Sequence, residues 1–197
     1  AHIQVKTSRF DGFDVDDEAS RAKLADQVSL FIKELEDNYA RLGIEQKPFV
    51  FLKNVSGTYG LAVVQVHDAE EIRNWSYKSR KKMKAAKGGR EVESLIIQEG
   101  IPTRFTNKEE TAEPCVYMVG NRLVGGFLRT HGKKGPEESL NSPGAVYKRM
   151  CMSDLEINLS GCPMENVYGW LSKLTVLALA LEAQKAGIEF LAYKGHE

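Results

Sequence analysis

Apolar residues in the stretch PFVFLKNVSGTYGLAVVQV, positions 48–66, fall into two short runs, 49–52 and 61–66, on either side of a turn of small residues. Both runs are rich in Val and Phe and too short for ordinary helices, which predicts a strand–turn–strand hairpin. Before it, Leu24, Val28, Phe31, Ile32, Leu35 and Tyr39 recur at helical spacing, predicting a helix over 18–42 that Gly43 stops. A second helix is expected from His67–Asp68, with Asp68 as N-cap, Glu71 at the capping-box position, and Ile72 and Trp75 on its apolar side. Residues 93–97 then read as a buried strand running into Gln98, Glu99 and Gly100, followed by a polar excursion over 103–112. Strands at 115–119 and 123–128 flank the turn Gly120–Asn121–Arg122. A polar loop follows at 132–144, and then a helix over 165–185. The apolar residues of that helix cover more than one face, which predicts a central place in the packing. Short strands are expected at 3–5 and 188–193, and the acidic residues of 11–17 read as a solvated turn rather than a calcium loop.

Composition narrows the class without choosing a function. The 197 residues carry 27 basic and 27 acidic side chains, so net charge supplies no global pull towards nucleic acid or an anionic membrane. No apolar run is long enough to span a bilayer, and no basic-then-apolar leader opens the sequence. Cys115, Cys151 and Cys162 lack CxxC spacing and are odd in number, so reduced thiols in a cytoplasmic protein are expected. The first residue is Ala1, which leaves open a further part before it.

Candidate chemistry gathers at the hairpin. Lys53 closes its first run, and Ser56, Gly57, Thr58 and Gly60 form the turn. Glycines admit close approach of backbone N–H groups, the hydroxyls add donors, and the lysine adds charge, all of which suits a polyphosphate. An ordinary glycine-rich hairpin has the same letters, and both readings stand at this point. The basic run from Lys78 to Lys87 is expected to be a surface segment closing over a bound polyphosphate, with nucleic-acid binding as the competing reading. Arg129 ends the later hairpin, with His131 two residues on; His131 is open to anion binding or to a plain surface-loop role. Glu137, Glu138 and Asn141 lie in the polar loop, whose length suggests function.

Four segments, FVFLKNVSGTYGLAVVQV, SLIIQEGIPT, AEPCVYMVGNRLVGGFLRTH and ESLNSPG, together resemble the proteobacterial-type glutamate–cysteine ligase family, the ATP-grasp-like form of γ-glutamylcysteine synthetase. SRFDGFDV near the start is similar as well. The resemblance implies an α+β, ATP-grasp-like fold of antiparallel sheets with packed helices, two of the sheets holding ATP between them. It implies one catalytic, ATP-binding region over 1–197 that forms the C-terminal part of a longer enzyme. On it, Lys53 meets the α/β-phosphates and the Ser56–Gly60 turn is the flap over the β/γ-phosphates. The backbone of Gln98, Glu99, Gly100 and Ile101 reads the adenine edge, with the Glu99 side chain close by. Arg129 faces the transferred phosphoryl group, His131 helps bind substrate, and Glu138 and Asn141 hold Mg²⁺, with Glu137, Glu113 or residues not present as the other sources of metal ligands. The common Glu-x-Asn metal pair after the last helix is missing: the tail reads GIEFLAYKGHE, and Glu156–Ile157–Asn158 precedes the helix.

The activity implied is ATP-dependent joining of glutamate and cysteine through an acyl phosphate, the first step of glutathione synthesis. The partners implied are small molecules (ATP, glutamate and cysteine) without nucleic acid or membrane, and homo-oligomerisation stays open. Nothing in composition or spacing chooses glutamate and cysteine. A ligase for another amino-acid pair, a non-catalytic nucleotide- or nucleic-acid-binding module and an inactive ligase-like domain are the alternatives.

Overall fold

The computed structural model describes residues 5–55, 61–84, 92–150 and 164–188. In order these form β1 (Thr7–Asp11), α1 (Glu18–Leu42), β2 (Val50–Asn54), β3 (Val63–Val66), α2 (Glu70–Arg73), α3 (Tyr77–Met83), β4 (Ser94–Glu99), β5 (Phe105–Asn107), β6 (Glu110–Val119), β7 (Arg122–His131), β8 (Val146–Arg149) and α4 (Met164–Lys185). The chain divides into two compact units. One comprises Ala1–Thr103 with Lys134–Gly144, the other Arg104–Lys133 with Ala145–Glu197. The α+β class of antiparallel sheets with helices is as expected.

The first unit holds an antiparallel sheet in the order β1-β4-β2-β3. Its register sets Leu52 opposite Ile97, Phe51 opposite Gln98 and Lys53 opposite Ile96. Because successive strand residues point to opposite faces, this pairing sorts the side chains into two sets. Leu95, Ile97 and Glu99 are buried, whereas Ser94, Ile96 and Gln98 are only half-buried. The buried face packs with α1, whose Leu24, Val28 and Leu35 are fully enclosed in the same core as Leu52 and Ile97. The helix starts where Asp17 accepts hydrogen bonds from the N–H groups of Ala19 and Ser20 at 3.1 and 3.0 Å. It stops at Gly43, which takes the left-handed conformation at φ 67°.

Two expectations in this unit need correction. The first strand is Thr7–Asp11 and includes Asp11, which the sequence assigned to a solvated turn. β1 is a sheet edge with alternate residues exposed, so it lacks a strong apolar signal. The single helix expected from residue 68 is two short helices. Glu71 does accept from the N–H of Asp68 at 3.1 Å, as a capping pair requires. The run breaks after Arg73, and α3 restarts at Ser76, whose Oγ accepts from the N–H of Ser79 at 3.2 Å. The basic character of α3 is partly neutralised: Lys84 pairs with Asp16, and Arg80 lies 3.9 Å from the same carboxylate.

The second unit is a sheet in the order β5-β6-β7-β8, dominated by the long β6–β7 hairpin. The supposed polar excursion over 103–112 contains β5, the start of β6 and a turn in which Lys108 and Glu109 have φ of 48° and 70°. Its polar residues read as loop because the sheet buries few side chains; Ala112 and Leu128 form its small core, with Phe105 and Met150 against them. β8 carried no signal for the same reason. α4 forms where expected, but the expectation of a central packing role is overturned. Trp170, Leu171, Leu174, Leu177, Leu179 and Leu181 are exposed. A helix apolar on all sides gives no directional signal of which side is covered. The expected strand at 3–5 lies largely, and the one at 188–193 almost wholly, outside the described residues.

Gly100 is where the first sheet tolerates no side chain. A Cβ there would lie 2.1 to 2.6 Å from three carbons of the Phe49 ring, while its N–H donates to the Phe49 carbonyl at 2.8 Å. Gly100→Ala is therefore expected to destabilise the protein by about 1–3 kcal/mol through overpacking. The check is a lower urea midpoint with an unchanged m-value.

Candidate functional site

The half-buried face of the first sheet carries the candidate residues Lys53 and Gln98. Phe51 and Lys53 of β2, Ile96 and Gln98 of β4, and Val63 and Gln65 of β3 share it by parity and register. Lys53 donates to the amide oxygen of Gln98, and its ammonium lies 5.5 Å from the centroid of the Phe51 ring. Burial pulls the Lys53 ammonium below the usual lysine value. Among the described residues no carboxylate pairs with it, so the face presents a partly desolvated cation without a counter-charge.

The segment 134–144 belongs to this unit and lies over one end of the same face. Its seat has three attachments. The N–H of Thr103 donates to the Pro136 carbonyl at 2.9 Å, Leu140 is buried, and Glu137 lies 3.7 Å from His67. His67 in turn stacks on Phe49, with ring centroids 5.4 Å apart. The result is a pocket of about 300 Å³ lined by Phe51, Val63, Gln65, Lys82, Lys134, Glu138, Ser139, Ser142 and Pro143. Inside it one carboxylate oxygen of Glu138 accepts from Lys134 at 2.6 Å, and the other accepts from the N–H of Gly135 at 2.9 Å. Desolvation, and then the neighbouring Lys134, lowers the pKa of Lys82; Glu138 opposes the shift. The Ser142 hydroxyl is buried without a hydrogen-bond partner. A larger depression of about 730 Å³, lined by β1, α1 and Val5–Lys6, takes no residue from β2, β3 or β4 and is a charged surface groove.

In the second unit Arg129 and Glu113 face each other across β6 and β7 and pair at 2.6 Å. The guanidinium carbon is 5.9 Å from the ring centroids of both Phe127 and Tyr147. Arg129 Nε is buried with no hydrogen-bond partner. His131 is the buried last residue of β7, so the surface-loop reading does not hold. Its Nδ1 accepts from the N–H of Lys133 at 3.2 Å, which leaves the proton of the neutral ring on Nε2. Cys115 is mid-strand and partly buried; burial pushes its thiol up, as befits an inert side chain.

The expected site residues thus divide. Lys53 and Gln98 come together on the open face. Glu99, one residue on, points the other way: it is 2% exposed and accepts from Tyr39 Oη at 2.7 Å and from the N–H of Lys6 at 2.9 Å. The N–H groups of Glu99 and Gly100 are spent on the carbonyls of Lys6 and Phe49, while Ile101 is exposed. Ser56, Gly57, Thr58 and Gly60 lie outside the described residues, as do Cys151, Cys162 and the Glu156–Asn158 triplet. Asn141 is half-buried in the 134–144 segment. Among the described residues no group of three or more His, Cys, Asp or Glu is clustered to hold an ion, and the Glu138 oxygens accept from Lys134 and the N–H of Gly135; Mg²⁺ carried on ATP phosphates needs only one or two protein oxygens. Sequence reading passed over Lys134 and Ser142, and saw Lys82 only as one of a basic run. The available signal was the Lys-x-x-x-Glu spacing of Lys134 and Glu138 inside a loop already suspected of function.

Comparison with known proteins bears on the family and the fold. Residues 1–183 match the family model described as glutamate-cysteine ligase. No curated protein matches the chain. A crystal structure provisionally described as a gamma-glutamylcysteine synthetase, from Methylobacillus flagellatus, is 31% identical and superposes with a TM-score of 0.70. The alignment covers 92% of this chain and 45% of that one, so the chain spans about half the length of the solved protein.

Lys134, followed by the N–H of Gly135, holds the Glu138 carboxyl below its ordinary 4.5. A carboxylate depressed in the folded state stabilises the fold above its unfolded pKa, and that contribution is lost as pH falls through the folded value. In Lys134→Met the Glu138 titration midpoint, followed by carboxyl carbon NMR, is expected to move up towards 4.5. An unmoved midpoint would show that the ion pair does not form.

Proposed function

This chain belongs to the glutamate–cysteine ligase family, and on that premise we propose that it carries the nucleotide-binding part of an ATP-dependent carboxylate–amine ligase of the cytoplasm, with glutamate and cysteine as the pair joined. The observation that carries the reading is Lys53: a half-buried ammonium, held by Gln98 and the Phe51 ring on the wet face of a sheet, without a carboxylate partner among the described residues. Uncompensated charge at a partly desolvated position costs stability, and a polyanion repays that cost.

Joining a carboxylate to an amine requires a leaving group on the carboxyl carbon. In the proposed reaction a carboxylate oxygen attacks the terminal phosphorus of ATP and ADP departs. The amine then attacks the acyl carbon, phosphate leaves, and the nitrogen gives up a proton. The protein's share is positioning and charge stabilisation. Lys53 holds the phosphate chain, and Gln98 fixes the direction of its ammonium. Phe51 and Val63 supply an apolar wall that keeps water from the acyl phosphate. Arg129 stabilises charge on the transferred phosphoryl group, its plane held by Glu113 and two aromatic rings. His131, at the buried end of β7, helps bind a substrate carboxylate or the phosphate. Mg²⁺ dependence belongs to the proposal as a property of the family's chemistry; no step here is routed through the ion.

The decisive assay is ATP-dependent phosphate release screened against amino-acid pairs, on this chain and on any longer form of it. Release that needs glutamate and cysteine together supports the reading, and release indifferent to both refutes it. Lys53→Met is expected to weaken ATP binding about tenfold, the worth of one charge-assisted contact. Its folding stability should stay within about 1 kcal/mol of the parent. Unaltered nucleotide affinity would remove Lys53 from the site. Arg129→Ala is expected to lower kcat about a hundredfold while changing ATP affinity far less. The opposite split would assign Arg129 to ground-state binding.

A further inference from the structure

The pocket under the 134–144 segment has a charge imbalance and an orphaned donor that the Lys53 reading does not use. Lys82 and Lys134 face one carboxylate, Glu138, and among the described residues Lys82 makes no ion pair. The Ser142 hydroxyl lines the same space, buried, with no partner of its own. Glu138 is held by an ammonium on one oxygen and a backbone amide on the other. Those are the donors that hold a phosphate oxygen pair elsewhere in proteins. A carboxylate in that position therefore imitates a ligand.

We propose that this pocket is an oxyanion site for a phosphate group of the nucleotide, with the Glu138 carboxylate as its intramolecular competitor. The nature of the ligand rests on the ligase reading; the existence of the site does not. Lys82 supplies the second cation from α3, Lys134 the first from the segment, and Gly135 N–H and Ser142 Oγ complete the donors. Phe51, Val63 and Pro143 form the apolar wall that strengthens those contacts. Glu138 keeps Lys134 aimed into the pocket and must swing aside when phosphate enters. This role is opposite in sign to that of a metal ligand, which was the expectation for Glu138 from sequence.

The test is calorimetric binding of inorganic tripolyphosphate, of ATP and of sodium glutamate, in the absence of divalent cations, to the chain and to Lys82→Met, Lys134→Met and Glu138→Gln. Lys82→Met is expected to weaken tripolyphosphate and ATP about tenfold, and Glu138→Gln to tighten both several-fold by removing the competitor. Misfolding cannot produce opposite shifts in the two variants. The proposal falls if the parent chain binds no tripolyphosphate, if Glu138→Gln weakens binding, or if the lysine variants lose glutamate but keep both phosphate ligands. Loss of ATP affinity in Lys53→Met with unaltered affinity in the pocket variants would sink this inference and spare the ligase reading. Pocket variants that lose tripolyphosphate, in a protein without amino-acid-dependent phosphate release, would do the reverse.

Discussion

The division of the first sheet into a dry face and a wet one governs the rest of the first unit. β4 lies between β1 and β2, and its residues go alternately to α1 and to the open side. Burying Leu52 and Ile97 against the helix contributes about 1.5–3 kcal/mol each. That fixes the register, because a slip of one residue would expose every one of these side chains and bury their polar neighbours. The position of Lys53 and Gln98 is a by-product of that register. Their aim is enforced by hydrophobic contacts on the far side of the sheet, which is why two polar side chains on short strands can be held in a defined place.

The same rule explains why Glu99 and Gln98, adjacent in the chain, serve different ends. Gln98 orients a cation on the wet face, while Glu99 bridges the phenol of Tyr39 and the backbone of β1's approach within the core. Desolvation, followed by the hydrogen bond to Glu99, raises the Tyr39 phenol above its ordinary range, so it stays a donor at any working pH. A buried carboxylate is tolerated only where such donors meet it.

Strong periodic signals were legible from sequence. α1 and its Gly43 stop, the central strands and the β6–β7 hairpin came through because apolar period or turn chemistry marks them. β1, β5 and β8 did not, because each lies at a sheet edge, where polar residues are tolerated on both sides. The strand-parity argument was available for Glu99, since Leu95 and Ile97 share its face, and motif resemblance overrode it. Lys82 and Lys134 were invisible as a pair: 52 positions separate them, and only the tertiary seat of the 134–144 segment brings both into one pocket.

One of that seat's three attachments traces back to the absence of a side chain at Gly100. The Phe49 ring fills the place a methyl group would take, and it offers its other surroundings to His67, which reaches Glu137 on the segment. In this chain of contacts only the approach of His67 to Glu137 involves charge, and the Thr103–Pro136 hydrogen bond and the burial of Leu140 hold the segment besides. The attraction of Lys82 and Lys134 for an anion, by contrast, is wholly electrostatic and is screened within about 10 Å at 0.1 M ionic strength. Outline and charge in the pocket therefore answer to different variables: concentrated salt empties the cavity of its electrostatic pull and leaves its walls standing.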